Sequence, residues 1–257
     1  MSAAHVSPTA VGVAFIVAGP GDPELLTLRA HKLLSSADFV IADSEVVELA
    51  QLINANQIQE AIDNHGAVLS LAARTKLIVE ARRQSKVVVR LLSGDPILDG
   101  RMAMETSALD AAGFPFEIVA GVSTLTAAPA HIGMSLTGGR TREVRIIDAD
   151  SPVVDWSTHV DPLVTLVVHN AADRVGEIAK ALIKAGRDAK TPVSIIRDGA
   201  TVDQRSIHST LDSVNAVAKA AKQAGPGLVL IGETAGERTP WYENRPLHGW
   251  RVLVPRT

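Results

Sequence analysis

The sequence predicts an α/β fold built from two α/β domains. Three observations support this prediction. Short apolar runs alternate with segments of helical spacing, several runs stop at glycine, proline or aspartate, and the alternation is interrupted once, between residues 133 and 161. Alternating strands and helices favour a parallel sheet. We expect an N-terminal domain over residues 1–133, a C-terminal domain over 134–245 and a separate segment at 246–257.

The first half predicts strands and helices in alternation. Its opening run, residues 11–18 (VGVAFIVA), is rich in β-branched residues and ends at a glycine–proline turn, which is typical of a buried strand. Leucine and alanine recur at helical spacing over residues 25–34, so a helix follows. The same criteria predict strands at 37–43, 86–92 and 115–119, and helices at 45–62, 71–84, 100–112 and 125–132.

The second half resumes the pattern after a less regular stretch. The run 163–169 (LVTLVVH) is β-branched, and 204–210 (QRSIHST) alternates in polarity, which indicates a half-exposed strand. Further strands are expected at 144–147, 192–196 and 227–231, helices at 174–185 and 214–223, and a last strand at 250–255.

Composition excludes several classes of function. The net charge of −3 and the aromatic content of 3% argue against nucleic-acid and anionic membrane partners. The absence of cysteine excludes disulfides, thiolate catalysis and cysteine-ligated zinc, and no metal site is expected. No signal-peptide pattern opens the chain, and no run reaches the ~18 apolar residues of a membrane span. We therefore expect a cytoplasmic protein.

Three junctions after predicted strands carry turn-forming residues: 19–27 (GPGDPELLT), 93–96 (SGDP) and 121–124 (GVST). Glycine lets the backbone approach a ligand closely, and Pro20 and Pro23 fix the first turn. Open α/β sheets bind ligands beyond the carboxyl ends of their strands. The glycine spacing differs from the dinucleotide fingerprint, and no Gly-Lys-Ser/Thr follows. A binding site and a plain strand-to-helix turn both remain possible for each junction alone.

Together these junctions resemble the tetrapyrrole methylase family, and within it the uroporphyrinogen-III C-methyltransferases. The resemblance extends from about Val13 to Trp241 and includes residues 88–91 before the second junction, Gln204 with Arg205, and residues 226–233. It implies two α/β domains with a trough between them, a homodimer, and S-adenosylmethionine as methyl donor. The implied reaction methylates rings A and B of uroporphyrinogen III to give precorrin-2, on the way to sirohaem or cobalamin.

The resemblance also assigns site residues. It places Pro20 against the cofactor, gives Leu98 a contact with the adenosine, and makes Asn170 the counterpart of a family methionine. The cofactor-binding residues that it implies are Pro20, Ser93, Gly94, Asp95, Leu98, Ser123, Thr124, Asn170 and Gly199.

Two further residues match the substrate-facing part of the family pattern. Asp43 matches the acid proposed to take a proton during methylation, which requires that burial raise its pKa. Its alternative role is an N-cap for the helix that begins at Ser44. Arg101 matches an arginine suited to bind substrate carboxylates, of which uroporphyrinogen carries eight.

The sequence departs from the family pattern at several positions. The family stretch Gly-Lys-Arg-x-Gly-x-His is replaced by residues 62–67 (IDNHGA), so its lysine and histidine are missing, with His65 as a nearby substitute. Residues 246–257 resemble the opening of a uroporphyrinogen-III synthase domain, so the resemblance implies the methylase half of a fusion with that synthase. A second hypothesis is a degenerate domain that binds cofactor or tetrapyrrole without turnover and scaffolds the fused synthase. A third is a family member that acts on a later corrin precursor or a diphthine precursor.

Overall fold

The computed structural model of the protein describes residues 12–54, 56–84, 86–151, 153–221 and 227–250. It divides the chain into two compact units, Met1–Ser123 and Thr124–Thr257, hereafter unit 1 and unit 2. Each unit contains one five-stranded sheet with helices, so the predicted fold class is confirmed. All four phenylalanines lie in unit 1, whereas all three tryptophans and the single tyrosine lie in unit 2.

Unit 1 contains a wholly parallel sheet, because each of its strands is followed by a crossover connection. The strand order is β3-β2-β4-β1-β5. Its elements are β1 Val13–Val17, α1 Leu28–Ser35, β2 Phe39–Ala42, α2 Val47–Ile53, β3 Gln57–Glu60, α3 Leu71–Arg83, β4 Val88–Leu92, α4 Arg101–Ala111 and β5 Glu117–Val119.

Side chains alternate between the two faces of the central strands of unit 1. On one face, Ile16, Val40 and Leu91 pack with apolar residues of α1 and α2. On the other face, Phe15 and Ile41 pack with Ile78 of α3, Leu109 of α4 and other apolar residues. Every residue of β1, β2 and β4 is buried, which explains why these strands read as continuous apolar runs.

The helix predicted over residues 45–62 is wrong in its second half. Helix α2 ends at Ile53, where the buried side chain of Asn54 donates to the carbonyl oxygens of Leu34 and Ala37 instead of continuing the helix. Residues 57–60 then form β3, which pairs in parallel with β2. This strand lies at the sheet edge and is polar and partly exposed, so it lacks the apolar pattern that identified the other strands.

Unit 2 contains a mixed sheet of order β6-β7-β10-β8-β9. Strands β6 and β7 are parallel, β10 is antiparallel to both β7 and β8, and β9 is antiparallel to β8. The expected parallel sheet therefore applies to unit 1. The elements are α5 Thr124–His131, β6 Glu143–Asp148, β7 Val164–His169, α6 Val175–Ala185, β8 Pro192–Arg197, β9 Arg205–Thr210, α7 Val214–Ala220 and β10 Leu228–Ile231.

The division between the units lies before α5, whereas the sequence analysis placed the domain boundary after residue 133. Leu125 and Ala128 of α5 belong to an apolar cluster with Val167, Ile196 and Leu230 of the second sheet, which assigns the helix to unit 2. The predicted strand at 250–255 and most of the segment 246–257 fall outside the described residues. Over the described ranges, every helix is too short or too polar to cross a bilayer.

Candidate active site

The three predicted junctions of unit 1 meet at one edge of its sheet, because they follow β1, β4 and β5, which are parallel and adjacent. Gly19 forms an isolated bridge with Gly94. Gly19 has a φ of +75°, and a Cβ on it would lie 2.8 Å from the carbonyl oxygen of Val122. This edge therefore brings together five predicted residues: Pro20, Ser93, Gly94, Asp95 and Ser123. All five are partly exposed.

The first junction is a rigid turn. The Asp22 side chain accepts a hydrogen bond from the backbone N–H of Glu24 at 2.8 Å, and Pro23 opens a 3-10 helix, Pro23–Leu25. Thr27 then caps α1, since its hydroxyl accepts from the backbone N–H of Ala30 at 3.2 Å. Helix α1 thus begins later than the leucine pattern predicted.

The second junction ends in exposed apolar side chains. Ile97 and Leu98 are 65% and 46% exposed. The backbone N–H of Leu98 donates to the carbonyl oxygen of Asp95 at 2.9 Å, so a tight turn presents both side chains. Apolar side chains held beside a polar loop are suited to pack against a ring of a ligand.

Asp43 follows β2 at the same edge, and its carboxylate is fully engaged. One oxygen, Oδ1, accepts from Nη2 of Arg90. The other, Oδ2, accepts from Nη1 of Arg101 at 2.9 Å, from the backbone N–H of Ser93 at 3.0 Å and from the Ser93 hydroxyl at 3.3 Å. Asp43 occupies the N-cap position of the 3-10 helix Ser44–Val46, but its side chain makes no capping hydrogen bond. Asp43 instead joins the end of β2 to the second junction.

Asp43 belongs to a set of side chains of alternating charge that we call the buried charge chain: Arg74, Glu105, Arg90, Asp43 and Arg101. Arg90, 1% exposed, donates from Nε to Glu105 Oε2 at 2.7 Å and from Nη2 to Glu105 Oε1 at 3.0 Å. Arg74 Nε lies 2.9 Å from Glu105 Oε1. Arg74, Arg90 and Glu105 were not among the residues predicted for the site. An arginine in the centre of a buried strand was the available signal, because a buried charge needs a partner.

The charge chain fixes the protonation of Asp43. Burial raises the pKa of Asp43, but the charge of Arg90, hydrogen bonds from Arg90 and Ser93, and the charge of Arg101 together hold that pKa below its ordinary value of 3.8. Burial likewise lowers the pKa of Arg90, and its contacts with Glu105 and Asp43 outweigh burial and raise that pKa. The condition under which Asp43 was expected to act as a base, a pKa raised by burial, is therefore not met.

Arg101 is held by three acceptors of its own chain. Its Nε donates to Asp99 Oδ2 at 2.7 Å, its Nη1 to Asp43 Oδ2 and its Nη2 to the carbonyl oxygen of Ser93 at 2.9 Å. Among the described residues these bonds use three of the five guanidinium N–H groups. The side chain is about one-third exposed, so the other two can reach a ligand.

Two of the predicted residues of unit 2, Asn170 and Gly199, lie at one edge of the second sheet. Asn170 follows β7 and Gly199 follows β8, and both strands are antiparallel to β10, so their carboxyl ends coincide. Asn170 has a φ of 55° and donates from Nδ2 to Asp150 Oδ2 at 3.1 Å. A side chain on Gly199 would overlap Ala128 Cβ. Thr124 is the first residue of α5.

Residues 62–67, which stand in place of the family stretch Gly-Lys-Arg-x-Gly-x-His, form a closed turn. Asp63 Oδ1 accepts hydrogen bonds from the backbone N–H groups of His65 at 2.8 Å and Ala67 at 3.0 Å. The ring of His65 is exposed. No cationic side chain occupies residues 62–67 other than the histidine, so the turn offers no lysine to a substrate.

The described part of unit 2 also contains a serine–histidine pair and a groove, and neither forms a site of known type. Ser194 Oγ is 2.7 Å from His208 Nδ1, but the hydroxyl donates to the carbonyl oxygen of Ala235, and burial with the charge of Arg238 lowers the His208 pKa to about 4. Ser194 is fully buried, so it is no nucleophile. A groove of about 510 Å³ contains none of the predicted residues; it is lined by Gly133, Ser135, Thr137, Gly138, Thr234, Gly236, Glu237, Arg238 and Thr239. Within the described ranges, no three histidine and acidic side chains group as metal ligands.

Residues 12–215 match the family model described as Tetrapyrrole (Corrin/Porphyrin) Methylases. The siroheme synthase of Azotobacter vinelandii is 34% identical over 254 residues, which are 94% of this chain and 54% of that protein. Siroheme synthase 1 of Cronobacter sakazakii is 32% identical over 242 residues, 90% of this chain and 51% of that protein. The chain thus spans about half the length of the curated relatives it matches.

Solved structures give the same picture of the fold. Uroporphyrin-III C-methyltransferase from Thermus thermophilus, complexed with S-adenyl homocysteine, has a TM-score of 0.72 and 30% identity, and the match covers 87% of this chain and 98% of that one. A cobalt precorrin-4 methyltransferase superimposes with a TM-score of 0.78 at 24% identity, over 90% of this chain and 99% of that one.

Proposed function

Because the chain belongs to the tetrapyrrole methylase family, we propose that it transfers methyl groups from S-adenosylmethionine to carbon atoms of uroporphyrinogen III, giving precorrin-2. The observation that carries the proposal is the meeting of three loops and Asp43 at one edge of the unit 1 sheet. The Thermus thermophilus relative, which matches over nearly its whole length, supports both the donor and the substrate class.

The residues at this edge fit the proposed methyl donor. S-adenosylmethionine has a flat aromatic adenine ring, whose faces pack against apolar side chains, and polar groups on its ribose and amino-acid parts. The exposed side chains of Ile97 and Leu98 suit the ring, and the open space beside the partly exposed Gly94 lets the rest of the donor approach the backbone. When bound, the donor supplies an electrophilic methyl group on a sulfonium. The task of these loops is to orient it, because displacement depends on alignment.

Arg101 is our candidate for substrate binding. The Asp99 and Asp43 carboxylates and the Ser93 carbonyl fix its guanidinium while two N–H groups remain for a ligand. A fixed guanidinium suits a carboxylate, and uroporphyrinogen carries eight. Asp43 stays ionised because its pKa is lowered, and its negative charge favours the positive charge that develops on a methylated ring.

The test is anaerobic incubation of the full chain with uroporphyrinogen III and S-adenosylmethionine labelled in the methyl group, followed by mass spectrometry of the tetrapyrrole. We expect a labelled, methylated product. Asp43→Asn removes the ionised group and should abolish turnover, whereas Asp110→Asn, at the exposed end of α4, is the matched control and should leave it unchanged. Unchanged turnover in Asp43→Asn would remove Asp43 from the mechanism.

The alternative is a domain that binds the donor or a tetrapyrrole without turnover. The closed turn at residues 62–67 favours it, because the family lysine and histidine are absent there. Calorimetric binding of S-adenosylhomocysteine with no methylated product from uroporphyrinogen III would support this alternative. If the chain forms no methylated product and binds neither S-adenosylhomocysteine nor uroporphyrinogen III, both functions are contradicted. Homodimer formation, which the family resemblance implies, is tested by light scattering of the purified chain.

A further inference from the structure

The turn after β8 in unit 2 is held in an unfavourable backbone conformation. Asp198 has a φ of 47° and Ala200 a φ of 63°, and neither is glycine. Left-handed backbone costs free energy at such residues, so the surrounding structure must impose it. Gly199, the predicted cofactor contact, lies between them and is pressed against Ala128 of α5.

A buried side chain binds this turn, in addition to Thr201, whose hydroxyl donates to the Asp198 carbonyl oxygen at 2.7 Å. Gln204, which is fully buried, accepts a hydrogen bond at Oε1 from the backbone N–H of Ala200 at 2.7 Å. Its Nε2 donates to Glu243 Oε1 at 3.0 Å. A buried amide needs partners for both of its ends, so the Glu243 carboxylate fixes which end of Gln204 faces the turn.

Glu243 lies in residues 239–250, which we call the closing segment. Unit 2 anchors this segment at two points: the Thr239 N–H donates to the Gly133 carbonyl at 2.9 Å, and Trp241 Nε1 donates to the Ala130 carbonyl at 2.8 Å. The Arg245 guanidinium stacks 4.7 Å from the Trp241 ring centre. The segment is thus fixed on α5, the helix that also contacts Gly199.

We propose that Gln204 and Glu243 are positioning residues that hold the Asp198–Ala200 turn in the conformation that binds the methyl donor. The closing segment, which begins about 40 residues further along the chain, thereby sets donor affinity without touching the donor. The predicted change in donor affinity rests on the proposed function. The predicted change in the conformation of the Asp198–Ala200 turn does not.

The first experiment measures S-adenosylhomocysteine binding to the full chain by calorimetry. Glu243→Ala removes the acceptor for Gln204 and should weaken binding about tenfold, the effect of one hydrogen bond to a charged group. Glu243→Gln keeps an amide oxygen that can accept from Gln204 and should bind within about twofold of the unmodified chain. Glu237→Ala is the control, because the exposed Glu237 side chain makes no hydrogen bond within the described part of the chain. Equal affinity in Glu243→Ala, or equal loss in both Glu243 variants, would overturn the inference.

The second experiment needs no ligand. Hydrogen exchange read by mass spectrometry should show faster exchange in the peptide that contains Ala200 in Glu243→Ala, with Glu243→Gln and Glu237→Ala unchanged. Unchanged exchange at Ala200 in Glu243→Ala refutes the positioning role, whatever the calorimetry gives. If the unmodified chain does not bind S-adenosylhomocysteine, the proposed function fails and the affinity part of the inference fails with it, while the exchange result still decides the conformational part.

Discussion

Replacing Arg90 with methionine tests whether the buried charge chain stabilises unit 1. The guanidinium makes two hydrogen bonds to Glu105, one to Asp43, and one each to the carbonyl oxygens of Leu91 at 2.8 Å and Ile41 at 3.4 Å. Methionine has a similar volume, but Arg90→Met removes the guanidinium that bonds to the largely buried carboxylates of Glu105 and Asp43.

The size of the effect follows from the neighbours. Removing one partner of a buried ion pair costs about 3–5 kcal/mol. Arg74 still faces Glu105 and Arg101 still faces Asp43, so we expect the lower end, about 3 kcal/mol of unfolding free energy. The control is Arg29→Met, which breaks the exposed pair with Glu117 and should cost less than about 1 kcal/mol.

The assay is urea unfolding followed by far-UV circular dichroism. Tryptophan fluorescence in the same samples reports unit 2 alone, because Trp156, Trp241 and Trp250 all lie there. If Arg90→Met lowers the free energy of unfolding by no more than Arg29→Met does, the reasoning is refuted, because the buried carboxylates would then tolerate the loss of their partner.

Three further predictions concern single sites. The pKa of Asp43 is lower in the folded chain than in the unfolded chain, where it is near 4, so its carboxylate adds to the free energy of unfolding above about pH 4. This contribution is lost as pH falls through the folded pKa. The difference in unfolding free energy between the unmodified chain and Asp43→Asn, measured in urea, should therefore narrow below about pH 4. Burial lowers the pKa of His208 to about 4, so stability should fall as pH drops from 6.5 towards 4, and His208→Gln should flatten that dependence in fluorescence-monitored unfolding; an equal slope in both proteins would contradict it. Gly199→Ala forces a Cβ against Ala128 and should cost about 1–3 kcal/mol in urea unfolding, whereas Gly138→Ala, with open space around it, should cost little; equal costs would show that the Ala128 contact relaxes.

Sequence reasoning recovered the parts of the fold whose physics is local. The buried strands of unit 1 are short apolar runs stopped by turns, and the structure has β1, β2 and β4 within the predicted ranges. Strand β3 was missed because an edge strand with one exposed side needs no apolar pattern. Helix α5 was assigned to the first domain, since its Ala-rich sequence does not reveal which sheet it packs on.

The candidate site likewise has a part that the sequence predicts and a part that it does not. Glycine and proline spacing locates the junctions, because these residues determine which backbone conformations are allowed. The charge chain was not predicted, since Arg74, Arg90 and Glu105 are separated along the chain and meet only after α3, α4 and β4 pack. Gln204 and Glu243 illustrate the same limit, because their pairing depends on where residues 239–250 fold back.

The position of β10 has a consequence for synthesis on the ribosome. All strands of unit 1 precede residue 120, so that sheet can close while later residues are still being made. Among the described residues of unit 2 the last strand in the sequence, β10, lies between β7 and β8, so the central backbone hydrogen bonds of that sheet stay unmade until Leu228–Ile231 emerges. A nascent chain halted before residue 228 would expose both neighbouring strand edges, and we expect such arrested chains to aggregate or recruit chaperones while unit 1 is already folded.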